Sequence, residues 1–123
     1  MSFNSSHAEE FRFLFNLPPI RSRRITQKAL IDEEYSEFVE AERHIYDEKF
    51  RANDAEALKE LADLIYVCYQ YASNMEWDLD QALLRVHKSN LSKLDEHAKP
   101  IYREDGKVLK SKFYEPPTLT DLV

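Results

Sequence analysis

The sequence predicts an all-α chain, a four-helix-bundle type of fold finished by a short β-hairpin and an extended tail. Three observations carry this. Apolar residues recur at helical spacing through most of residues 7–94. Helix-start signals stand at Ser6-x-x-Glu9, Asn53-Asp54-Ala55-Glu56 and Asp78-x-x-Gln81. After Lys99-Pro100 the texture changes, and the single glycine of the chain falls between two short β-type runs.

The first helix is expected from His7 to about Phe15, with Phe11, Leu14 and Phe15 on its apolar face. Pro18-Pro19 ends it, since neither residue has an N–H and both restrict the residue before them. Arg21 to Arg24 reads as a solvated basic linker. The second helix is expected from about Thr26 to Phe50, and the third from about Ala55 to Asn74 after a restart capped by Asn53. The middle of the third, Leu61 to Ala72, is apolar almost all round, as suits a central helix or an oligomer interface. Asp78 caps a fourth helix that reaches about Leu94. Ile101-Tyr102-Arg103 and Val108-Leu109-Lys110 then form a hairpin around Gly106. Such a two-stranded unit is marginal alone and must pack on something. The tail Tyr114-Glu115-Pro116-Pro117 is extended and drapes over a neighbour.

At 123 residues the chain is expected to be one domain, spanning 1–123. A helical chain of this size often completes its core by oligomerising. Composition is that of a soluble protein, 43% hydrophobic and 33% charged. The net charge of −6 argues against a nucleic-acid surface. No signal peptide and no membrane-spanning run is recognisable, so neither secretion nor a membrane partner is expected. The lone Cys68, in an apolar helical run, offers no disulfide framework and fits a reducing, cytoplasmic setting. With one glycine, Gly-rich phosphate loops are excluded. Any phosphate must be held by metal and side chains.

The functional signal lies in the carboxylates. On a helical projection of about 100° per residue, Glu34 falls inside the apolar arc of Leu30, Ile31, Phe38, Ala41 and Ile45, and Glu37 at its edge. Glu60 likewise falls among Leu64, Val67 and Tyr71, with Asp63 at the rim. Acid pairs at this spacing are common on solvated faces. Two pairs aimed at one interior are not, because unpaired buried charges are costly. A hard divalent cation is the best neutraliser. No His-x-x-x-His, Glu-x-x-His or nucleophile–histidine arrangement is present, which removes zinc, ferritin-like di-iron and triad chemistry. The all-oxygen set suits Mg²⁺ or Mn²⁺. On the fourth helix, Asn90 and Lys93 share a face with Leu79, Leu83 and Val86. Taken alone they read as a surface amide beside a snorkelling lysine. Beside an acid cluster they read as a phosphate clamp.

Glu34-x-x-Glu37, a gap of 22 residues, and Glu60-x-x-Asp63 resemble the signature of the all-α, MazG-like nucleoside-triphosphate pyrophosphohydrolases. Their relatives include the dimeric dUTPases and phosphoribosyl-ATP pyrophosphohydrolase. The flanks Ala29-Leu30-Ile31-Asp32-Glu33 and Lys59-Glu60-Leu61-Ala62 agree, and Ser89-Asn90-Leu91-Ser92-Lys93 resembles the family's phosphate-contacting block. Residues 99–108 resemble the tail of the phage and bacterial branch, so the likeness covers roughly residues 25–117. Three places depart from that pattern: Ser111-Lys112 replaces a Gly-Pro, His97-Ala98 a glycine before Lys-Pro, and Glu76-Trp77 a glycine-containing turn.

The resemblance implies cleavage of a (deoxy)nucleoside triphosphate at its α–β bond to monophosphate and pyrophosphate, serving dNTP-pool control in a bacterial or phage-infected host. It implies Glu34, Glu37, Glu60 and Asp63 as ligands of about two or three Mg²⁺ or Mn²⁺ ions. It implies Glu33 as the group that orients or deprotonates water, with Glu33, Glu34 and Glu37 forming the catalytic set. Asn90 and Lys93 steady the phosphates, across a boundary in a homodimer or homotetramer. The leading substrate is (d)GTP, with Phe11, Phe15 or Trp77 as base-stacking candidates, though for each the reading as an ordinary core aromatic is favoured. The rivals are a dUTPase or phosphoribosyl-ATP hydrolase with the same metal site, and a non-catalytic helical module binding a structural ion.

Overall fold

The computed structural model describes residues 2–46 and 54–123. Among these, four helices occur in the expected order: α1 (Ser5–Leu14), α2 (Arg24–His44), α3 (Asp54–Met75) and α4 (Leu79–Leu91). A two-stranded antiparallel hairpin follows, β1 (Ile101–Tyr102) with β2 (Val108–Leu109), pairing Ile101 with Leu109 and Tyr102 with Val108. The fold is all-α with a small hairpin. The chain divides into two compact units, residues 1–77 and 78–123.

In the first unit, α1 starts two residues before the expected signal. Asn4 is the cap: its Oδ1 accepts from the Ser6 N–H at 2.9 Å, and His7 Nδ1 accepts from the Asn4 N–H at 3.2 Å. The Ser6/Glu9 box is therefore not used, because an amide cap was already available two residues upstream. Nor do the prolines end α1. Asn16 adopts φ 55°, Leu17 N–H donates to Arg12 O at 2.8 Å, and Asn16 N–H donates to Phe13 O at 3.3 Å. That is a Schellman closure, which satisfies the last carbonyls before Pro18 is reached. A 3₁₀ turn over Arg21–Arg23, exposed as expected for a linker, leads into α2. The expected end of the second helix at Phe50 and the Asn53 cap lie outside the described residues. From Asp54, α3 runs to Met75 and is closed by a second Schellman turn. Glu76 takes φ 59°, and Trp77 N–H donates to Ala72 O at 2.9 Å.

Helices α2 and α3 pack as an antiparallel hairpin: Glu34 near the middle of α2 meets Glu60, whereas His44 at its end shares a pocket with Ala55 and Glu56. Helix α1 docks on α3 through aromatic rings. Phe3 lies against Tyr66 and Tyr69 at centroid distances of 5.4 and 5.1 Å, and Phe11 meets Tyr66 edge-on at 5.6 Å. Among the described residues, the buried apolar ones are Ala8, Ala57, Tyr69, Ala72 and Met75. Beside them sits a polar layer. Arg12 is 4% exposed, and its guanidinium donates to Asn74 Oδ1 at 3.0 Å, Gln70 Oε1 at 3.2 Å and Gln27 Oε1 at 3.4 Å. Asn74 in turn exchanges two hydrogen bonds with the backbone of Ile20. One side chain from each of α1 and α2, and two from α3, are thus joined to the linker. Burial and the neighbouring Arg23 hold the Arg12 pKa below its ordinary value.

In the second unit, Asp78 caps α4 as expected, Oδ1 accepting from Gln81 N–H at 3.0 Å. The helix stops at Leu91 rather than Leu94, where Ser92 turns its hydroxyl back to Ser89 O at 2.6 Å. The tail is fastened to α4 of its own unit. Ser89 Oγ donates to Glu115 O at 2.7 Å, and Glu115 N–H donates to Ser92 Oγ at 2.9 Å. Arg85 adds bonds to Thr118 O and the Asp121 carboxylate. In the hairpin, Gly106 has φ 89°, a value that only glycine adopts freely, and Arg103 and Asp105 pair across the turn.

Candidate functional site

Three of the four acids expected to converge, Glu34, Glu37 and Glu60, come together, and Asp63 is not in the group. One oxygen from each of Glu34, Glu37 and Glu60 can be chosen so that all lie within 4.8 Å of one another. Two of these residues come from α2 and one from α3, so helix pairing, not chain proximity, makes the cluster. Glu34 Oε2 and Glu60 Oε2 are buried and have no hydrogen-bond partner among the described residues. Burial of the Glu34 carboxyl, its hydrogen bond with Glu37, and the charges of Glu37, Asp63 and Glu60 push its pKa up to about 7. A carboxyl so placed keeps its proton closer to neutral pH than an ordinary glutamate, because burial and the neighbouring negative charges disfavour its ionised form.

Asp63, the fourth acid, contributes to that field from one helical turn beyond Glu60. It is engaged by a residue that the spacing argument passed over. Lys59 Nζ lies 2.7 Å from Asp63 Oδ2 and 3.4 Å from Glu60 Oε1. The i, i+4 relation of Lys59 to Asp63 was the legible signal for it. The cluster opens on a pocket of ≈ 550 Å³ lined by Glu37, Glu40, His44, Glu56, Lys59 and Glu60. His44 Nε2 meets Glu40 Oε1 at 2.9 Å on its wall.

Glu33 is exposed on α2, one position before Glu34, and is not one of the three clustered acids. Asn90 and Lys93 belong to the second unit, at the end of α4, where Lys93 N–H donates to Asn90 O at 3.2 Å. On that face Leu83 and Asn90 are exposed, and Leu79, Val86 and Lys93 are half-buried. The candidate base-stacking rings are engaged in packing. Phe11 and Phe15 stack on one another at 4.5 Å, and Trp77 lies edge-on to Tyr71 beneath the Arg24 guanidinium, 5.1 Å from the indole. Cys68 is half-buried, and burial pushes its thiol pKa up, which suits packing and not nucleophilic attack.

The donor set fits a hard divalent cation: carboxylate oxygens only, mutually close, two of them buried and otherwise unsatisfied. An all-α fold that directs such a set from two paired helices is in keeping with the helical nucleotide pyrophosphohydrolases that the acid motif resembles. The comparison with known families agrees. Residues 18–90 match the phosphoribosyl-ATP pyrophosphohydrolase family, and the chain belongs to it, within the MazG-like superfamily. The match takes in α2, α3, the acid cluster and α4 as far as Asn90. No curated protein matches the chain. Membership makes the chain a hydrolase of the nucleotide pyrophosphohydrolase class, in a family that usually depends on divalent metal. No helix among the described residues is long and apolar enough to cross a membrane.

Proposed function

We propose that the chain hydrolyses a (deoxy)nucleoside triphosphate between its α and β phosphates, releasing the monophosphate and pyrophosphate, with (d)GTP as the first substrate to test. The observation that carries this is the Glu34/Glu37/Glu60 cluster with its two buried, unpartnered carboxylate oxygens. Glu34, Glu37, Glu60 and Asp63 would hold Mg²⁺ or Mn²⁺. When bound, such an ion supplies Lewis-acid stabilisation of phosphate charge and eases deprotonation of the attacking water. Glu33, exposed beside the cluster, would accept that water's proton, while the new P–O bond forms and the α–β bridging bond breaks. Asn90 and Lys93 are assigned to the phosphates on their Ser-Asn-x-Ser-Lys motif. The whole chain, 1–123, would act as one catalytic domain and assemble as a homodimer or homotetramer in the cytoplasm.

The family match supports a second reading, in which the substrate is phosphoribosyl-ATP and the same acids act on the same kind of bond. Turnover of the common NTPs and dNTPs, dUTP included, against phosphoribosyl-ATP separates the two. The inorganic product is identified in each case. Pyrophosphate from one or two deoxynucleotides supports the first reading, and turnover of phosphoribosyl-ATP alone supports the second. Orthophosphate would exclude both. Glu37→Gln and Asp63→Asn should each lower turnover about 100-fold or more. Undiminished turnover in both would remove the metal assignment whatever the substrate.

A further inference from the structure

Lys59 holds an unusual place for an exposed lysine. A pair between a solvated lysine and an aspartate four residues on contributes little to helix stability. This one, however, binds two of the acids assigned to the cation and lines the pocket with Glu37 and Glu60. It reaches Glu60 through Oε1 while Glu60 Oε2 is buried and unpartnered, so the ammonium satisfies one side of a carboxylate whose other side is unsatisfied. Its side chain is 66% exposed and is not packed in position.

A divalent cation drawing on Asp63 and Glu60 would face that ammonium across the same carboxylates. Two positive centres sharing those oxygens repel, so each weakens the other's hold. The lysine is the mobile partner: a compact charge on a flexible four-carbon stem, able to leave one anion for another. On the wall of this pocket the next anion is a phosphate, for which lysine is a suitable point-charge ligand.

We propose that Lys59 is the exchangeable counter-ion of the acid cluster. It stands in for the divalent cation at Asp63 and Glu60 when none is bound, and carries its charge to the substrate's phosphates when one is. This rests on the pyrophosphohydrolase reading of the site.

The test is calorimetric titration of Mn²⁺ alone into wild type, K59Q, K59R, K28Q and E60Q, followed by inorganic pyrophosphate with Mg²⁺ saturating. Lys28 is the charge-matched control, since it pairs with Asp32 at 2.8 Å on α2, and that aspartate is not among the clustered acids. K59Q should bind Mn²⁺ about five-fold more tightly than wild type, and K28Q within about two-fold of it. K59Q should bind pyrophosphate about five-fold more weakly, with K59R restoring wild-type behaviour. Equal Mn²⁺ affinity in K59Q and wild type, equal tightening in K28Q, or unaltered pyrophosphate binding would each overturn the proposal. A different pattern removes the underlying site: wild type binding no Mn²⁺, or E60Q binding it as wild type does. Thermal melts of every variant confirm that only folded protein is compared.

Discussion

Glu34 concentrates the chemistry of the site in one side chain. Its pKa, pushed up to about 7 from an ordinary 4.5, means the folded protein keeps a proton that the unfolded chain gives up in that interval. The stability tied to that proton is full below about pH 4.5 and is lost as pH rises through about 7. Metal-free protein should therefore melt several degrees lower at about pH 8 than at about pH 5, and Glu34→Gln should flatten the dependence. A wild-type profile that rises over this range would contradict the desolvated, like-charge environment. Ala98 poses a different residue-scale problem. It takes φ 57° in a loop where Asp95 Oδ1 accepts from the N–H groups of His97 and Lys99 at 2.8 and 2.9 Å. The aspartate staple holds a left-handed alanine that costs about 1 kcal/mol relative to glycine. Ala98→Gly is expected to stabilise the second unit by about 0.5–1 kcal/mol in urea titration.

At the scale of elements, the polar layer decides how α1 meets its neighbours. Arg12 has neutral oxygens and no carboxylate among its described hydrogen-bond partners, and Gln70 Nε2 beside it is buried without a partner. Removing the guanidinium takes the donor from the buried Gln70 Oε1 and leaves Asn74 Oδ1, in a residue 2% exposed, with the Ile20 N–H alone. Arg12→Ala should cost about 2–4 kcal/mol in equilibrium denaturation. Arg12→Lys should recover little of it, since one ammonium cannot span Asn74, Gln70 and Gln27. At the end of α3, Glu76 occupies the position that glycine fills most readily in a Schellman turn. Glu76→Gly should raise stability by about 0.5–1 kcal/mol without moving the acids. The glycine-poor sequence has placed ordinary residues at left-handed positions and held them by hydrogen bonds.

For the molecule as a whole, the exposed apolar surface is the dominant fact. Leu58, Leu61 and Ile65 recur on one side of α3, and Leu83, Leu84 and Leu91 on α4, all of them exposed within the single chain. Apolar helix faces of this extent are ordinarily covered in solution. Sedimentation is expected to report a dimer or tetramer, and Leu61→Glu with Ile65→Glu to shift it towards monomer. A wild-type monomer at micromolar concentration would refute this.

Much of this was legible beforehand because it depends on local periodicity. The helix pattern of α2 and α3 put Glu34 and Glu60 on apolar faces, the spacing put Glu37 and Asp63 beside them, and Asp78 and Gly106 announced a cap and a turn. Other features were hidden because their cause is non-local. The exception is Asn4, which displaced Ser6 as the cap through a local bond with His7 that the Ser-x-x-Glu signal does not describe. Arg12 reads as a surface residue until Gln70 and Asn74, far along the chain, come to surround it. Lys59 reads as a common helix pair until Glu34 and Glu37 arrive from α2. Sequence by itself determined which residues could share a helix face, since that follows from the rise and twist of one helix. Only the tertiary structure decided which faces meet, and with that which charges lose their water and which cation stands beside them.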